Sequence, residues 1–149
     1  MKTIRNFVQL TNNIGTAGQP NASQFQLIAD AGFLAVINLA LPEHKDSIDN
    51  EGAIVTGLGM DYVHIPVNFD APTPEQVRKF CAILKGYNDT PVFVHCIMNY
   101  RVSAFMYHYL SKVLGYDAAE ARSEMFDRWE PNSTWQDVMS WDKTTMGLF

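Results

Sequence analysis

Short, wholly apolar runs alternate along the chain with longer stretches in which apolar residues recur every three or four positions. The first kind reads as buried strands, the second as one-sided helices. FVQL (7–10) and IGTA (14–17), on either side of Asn12-Asn13, predict a short hairpin or paired edge. Asn21-Ala-Ser-Gln24 has the form of a capping box, and the helix it opens closes at Gly32. FLAVINLAL (33–41) has the length and continuity of a strand covered on both faces. A weaker helix follows over 46–58, with Ile48, Gly52, Val55 and Leu58 in rhythm, and then a strand at DYVHIPV (61–67). Thr73-Pro-Glu-Gln76 supplies an N-cap, a proline at the first helical position and a reciprocal glutamine. The helix it begins buries Val77, Phe80, Cys81 and Leu84. PVFVH (91–95) reads as the central strand, and Val102, Phe105, Met106, Tyr109, Leu110, Val113 and Leu114 form the stripe of the next helix. Asp117-Ala-Ala-Glu120 is expected to cap a further helix that Pro131 stops. A last short helix, Ser133 to Trp141, carries Trp135 and Val138 into the body.

The sum is an α/β fold, a largely parallel central sheet flanked by helices. No repeat, low-complexity segment or linker divides the 149 residues, so one domain over 1–149 is expected. A content of 47% apolar and 18% charged residues excludes a disordered chain. The net charge of −5, with no run of Lys or Arg, argues against nucleic acid as a partner and makes any anion site a local matter. No apolar run reaches membrane-spanning length, so no membrane partner is expected. MKTIRNFVQL lacks the apolar core of a signal peptide, which makes the cytoplasm the expected location while leaving a removed leader open. Oligomeric state leaves no mark in the sequence.

Only two cysteines occur, Cys81 and Cys96, and they form no C-x-x-C pair. The four histidines share no ligand spacing. Neither a disulfide framework nor a metal or other cofactor is expected. Chemistry concentrates instead in PVFVHCIMNYR, where a strand delivers Cys96 to the mouth of a helix that starts near Arg101. Residues Ile97, Met98, Asn99 and Tyr100 must curl between them. The N–H groups of that turn and of the first helical turn then share one concavity, to which the helix dipole adds positive potential. Such a field favours the thiolate over the thiol, and Arg101 can fork two hydrogen bonds onto an anion. Cys81, beside Phe80 and Leu84 on an apolar helical face, reads as core.

VHC-x4-RVSAF after a strand resembles the signature loop of the cysteine-dependent protein tyrosine and dual-specificity phosphatases. The chain is similar, more narrowly, to a bacterial branch of small phosphatase-like proteins, some fused to β-lactamase-like hydrolases. TAGQP, AGFLAVINL, GMDYVHIPV and PTPEQVRKF carry the likeness over nearly the whole chain. The resemblance implies a dual-specificity-phosphatase-like fold, a Cys96 thiolate that attacks phosphorus, and a phosphocysteine intermediate. It also implies that Arg101 stabilises the phosphoryl oxygens and that His95 holds the phosphate-binding loop (P-loop) and tunes the thiolate. The substrate would be a phosphorylated protein or a small phosphomonoester. The general acid it requires is expected at Asp70, which lies in the IPVNFDAPTPEQ segment at the carboxyl end of a strand. Asp61 starts its strand and belongs to the far edge, and Gln19 is a further rim candidate.

Two features depart from the superfamily. Four residues, not five, separate Cys96 from Arg101, and none is glycine. Of these, Asn99 enters a left-handed conformation most easily. Val102 stands where a Ser or Thr is usual, with Ser103 one position later. The four-residue spacing resembles that of rhodanese-type sulfurtransferases, which makes sulfur transfer on Cys96 the alternative chemistry. A catalytically weak module that binds a phosphorylated ligand is the alternative without chemistry. His64 reads as a sheet-face residue, His44 and His108 as solvated, and Trp129, Trp135 and Trp141 as packing residues.

Overall fold

The computed structural model describes residues 1–149. Five strands form one sheet: β1 (Val8–Gln9), β2 (Ile14–Ala17), β3 (Ala35–Asn38), β4 (Asp61–His64) and β5 (Val92–His95). Their order is β1-β2-β5-β3-β4, antiparallel only between β1 and β2. β5 is therefore the middle strand, with Ala17 and Asn38 flanking His95 in register. Parallel strands need covered faces, and β2, β3 and β5 are buried along their whole length.

Helices α1 (Gln24–Asp30) and α2 (Glu51–Gly57) cover one face. The other face carries α3 (Pro74–Tyr87), α4 (Tyr100–His108), α5 (Ser133–Ser140) and α6 (Lys143–Met146). The Thr73–Gln76 box forms in both directions, and Asn21 and Gln24 exchange the reciprocal bonds read from their spacing. Gly32 sits at φ +96° just past α1. The strands are shorter than the apolar runs that encode them, because the flanking residues leave the ladder to form the rim. None of the helices is long and apolar enough to cross a membrane.

Two expectations are corrected. No α-helix forms between Asp117 and Pro131. The Asp117 carboxylate accepts from the Glu120 N–H, but only a turn follows, and a 3₁₀ segment, Glu124–Asp127, starts anew at Ser123. Residues 114–120 are exposed throughout and have no apolar stripe to hold a helix on the body. His108 is not solvated. It is fully buried, one ring nitrogen lying 2.7 Å from the Val138 carbonyl oxygen, and burial pulls it down to about 4. The stripe read from 102 onward underestimates α4, which is buried on nearly every side.

Candidate active site

Alternation along β5 separates its side chains. Val92, Val94 and Cys96 belong to the larger apolar cluster, under α3 to α6, while Phe93 faces α1 and α2. After β5 the chain turns through residues 96–99 into α4. Asn99 holds φ 70° at the N-cap, which meets the need for one left-handed residue in this glycine-free turn.

Three contacts brace the loop from outside. Asn6 donates its amide to Met98 O at 2.9 Å, and Asn99 returns a bond to Asn6 O at 2.9 Å. The Gln19 N–H donates to Ile97 O at 2.9 Å. Gly18 permits that approach, since a Cβ there would lie 2.4 Å from Ile97 O. Ser103 donates to Asn99 O at 2.6 Å, so its hydroxyl supports the loop from beneath. The N–H groups of Ile97, Met98, Asn99 and Tyr100 donate to no other backbone group.

A cavity of about 430 Å³ opens over this loop, lined by Cys96, Arg101 and Asp70, with Leu41, Phe69 and Met98 among its apolar walls. The three residues read as catalytic thus share one space. Ile97 and Tyr100 also line it, whereas His95 and Asn99 stand behind the loop, fully buried. Arg101 is buried, donates from Nη1 to Val67 O at 2.9 Å and lies over the Phe69 ring, 5.8 Å from its centroid. Its Nε has no hydrogen-bond partner. Asp70 is exposed, and its N–H is fixed by Asn68 Oδ1 at 2.9 Å. Asp61 instead accepts from the Tyr87 hydroxyl at the other end of β4.

Glu51 and several of the partnerships around the site were not read from the sequence. Glu51, buried at the start of α2, lies 2.7 Å from His95 Nε2 and accepts from Gln19 Nε2 at 2.7 Å and Tyr62 OH at 2.9 Å. Burial opposes its charge, but the hydrogen bonds with His95, Gln19 and Tyr62 prevail, holding the carboxyl below its usual range. Trp135 donates from Nε1 to Phe69 O at 2.8 Å and so anchors the segment that carries Asp70. Tyr100 stacks on Trp129 at 4.8 Å. His44, exposed as expected, also lines the cavity. Such partners lie up to 66 residues apart along the chain, and no local pattern connects them.

Residues 8–138 match the family described as a DSP-PTPase phosphatase fused to NAD+ kinase. The chain belongs to that family. It is therefore a member of the cysteine-dependent tyrosine and dual-specificity phosphatase superfamily. The fusion partner in the family's description is a kinase, where the branch read from sequence is associated with β-lactamase-like hydrolases. A candidate phosphatase (DUF442) from Shewanella putrefaciens is 35% identical, with 93% of this chain and 91% of that one covered and a TM-score of 0.84. TpbA of P. aeruginosa, 19% identical over 98% of this chain and 90% of its own, has a TM-score of 0.75. PTPMT1 in complex with PI(5)P, 15% identical over 95% of this chain and 94% of its own, has a TM-score of 0.76. These last two share the fold. No curated protein matches the chain.

Proposed function

We propose that the protein is a phosphomonoester hydrolase with Cys96 as nucleophile. The observation that carries this reading is the unsatisfied donor set around one cavity. It comprises the free N–H groups from Ile97 to Tyr100 and the buried Arg101 Nε, all beside a cysteine at a helix N-terminus. Donors without acceptors are costly, and a tetrahedral oxyanion supplies acceptors to the loop N–H groups and to Arg101 Nε, which the Nη1 bond to Val67 O leaves free.

In the first step the Cys96 thiolate attacks phosphorus, the bond to the ester oxygen breaks, and Asp70 gives that oxygen its proton. Arg101 and the loop N–H groups hold the equatorial oxygens. In the second step the Asp70 carboxylate takes a proton from water. That water attacks phosphocysteine and releases phosphate and the thiolate. Residues 1–149 act as one phosphatase-like domain, and the cytoplasm is the location this reading assigns. The apolar walls at Leu41, Phe69, Met98 and Tyr100 suit a phosphate carried on an apolar or aromatic group, on a protein or a small molecule. A cysteine-substituted TpbA has been crystallised with phosphotyrosine, which is consistent with this class.

The four-residue spacing from Cys96 to Arg101 favours sulfur transfer as a second reading. One assay separates the two: wild type and Cys96→Ser, each on an aryl phosphate and on thiosulfate with cyanide. Hydrolysis of the phosphate, lost in the variant, is expected. Cyanide-dependent sulfur transfer without phosphate release would replace this function with the second.

A further inference from the structure

His95 is fully buried at the end of β5, and each of its ring nitrogens faces an oxygen. Nε2 lies 2.7 Å from Glu51 Oε2, and Nδ1 lies 3.1 Å from the Cys96 carbonyl oxygen. A carbonyl oxygen only accepts. The Glu51 oxygens already receive the Gln19 amide and the Tyr62 hydroxyl, and Tyr62 is itself an acceptor for the Asn38 amide at 3.0 Å, which directs its proton to Glu51. A carboxylate surrounded by donors is held in its charged form. A neutral imidazole has one N–H and would leave one of the two short contacts as acceptor against acceptor. The doubly protonated ring satisfies both.

We propose that Glu51 is a positioning residue that holds His95 as a buried imidazolium, placing a positive charge on the residue next to Cys96. The remaining neighbours do not compete. Tyr62 stays protonated because burial, above all, pushes its phenol up, and Phe25 meets the His95 ring edge-on at 6.0 Å. Asn38 and Gln19 carry no charge, and His95 pairs with no other ionised group. The carboxylate and the imidazolium keep the network near neutrality, with the imidazolium ring bonded to the Cys96 carbonyl oxygen and Glu51 on its far nitrogen. The consequence for Cys96 rests on its reading as the nucleophile. The state of the ring does not.

The test reads the ring directly. Nitrogen NMR of the full chain with isotope-labelled histidine distinguishes one protonated ring nitrogen from two. The four rings are assigned by His→Gln replacement at His44, His64, His95 and His108 in turn, and a position that does not fold is assigned by exclusion. Two protonated nitrogens are expected at His95 at pH 7. One protonated nitrogen overturns the proposal whether or not the protein hydrolyses phosphate. In Glu51→Gln the ring is expected to become neutral. Iodoacetamide alkylation of Cys96 at pH 7 is then expected to slow about tenfold, with Glu51→Asp partly restoring it. Alkylation unchanged in a folded Glu51→Gln variant would overturn the link to Cys96. An imidazolium seen in a protein that fails on every phosphate substrate would remove the phosphatase reading and keep this one.

Discussion

On β5, Val92, Val94 and Cys96 enter the 26-residue apolar cluster, whereas Phe93 enters a 9-residue cluster on the opposite face, and His95 stands beyond it against Glu51. The larger side is apolar almost to the rim. The smaller side ends in a polar cap of Glu51, Gln19, Tyr62 and His95. The groups read as touching substrate hang from the larger side: Cys96 directly, Arg101 through α4, and Asp70 through the Trp135 bond to Phe69. The difference teaches a division of labour. Dense packing fixes where Cys96, Arg101 and Asp70 stand, because close-packed interiors have low compressibility. Hydrogen bonds on the smaller side hold Glu51 in its charged form.

That comparison breaks most visibly at Asp70. Asp70→Asn is expected to slow hydrolysis of esters with poor leaving groups by roughly 10²–10⁴-fold, and good leaving groups by much less. Equal losses on both, measured as kcat on paired aryl and alkyl phosphates, would reduce Asp70 to a loop residue.

His108 tests the apolar side through pH. An unfolded histidine takes up its proton near 6.5, while this buried ring resists protonation down to about 4. Stability is therefore complete above 6.5 and is lost as pH falls through that interval, by about 3 kcal/mol at its lower end. Glu51 acts in the same direction but only below its usual value of 4.5, so the two windows separate. His108→Gln is expected to flatten the upper window in urea titrations, its amide still reaching Val138 O.

The smallest effect belongs to Trp135→Phe, which keeps an aromatic ring but removes the bond to Phe69 O. A loss of about tenfold on poor leaving groups is expected from misplacing Asp70. Combined with Asp70→Asn it should cost no more activity than Asp70→Asn alone, because both act through one proton. A full additional loss would show that Trp135 acts elsewhere.

Periodicity made the strands, α3 and the position of Cys96 readable, since each depends on neighbours two to four residues apart. Asn99 as the left-handed residue was readable from the absence of glycine. Glu51 was not, because it stands at the start of a short helix with an ordinary solvated-looking sequence, 44 residues from His95. His108 misled because a polar residue beside an apolar stripe looks exposed, until α5 covers that side too. The failed helix after Asp117 shows the converse, a good cap with nothing apolar to dock.

The clasp between Asn6 and the loop at Met98 and Asn99 also governs the order of assembly. Its partners are separated by 92 and 93 residues, so the loop acquires its working shape only when the two distant segments meet. Contacts of such span close late, after local helices and hairpins have formed. During synthesis Asn6 must wait for the 92 residues up to Met98 to emerge. The loop from Cys96 to Arg101 is therefore expected among the last parts of the protein to mature, and destabilising Asn6 should slow the recovery of phosphate hydrolysis on refolding more than the recovery of helicity.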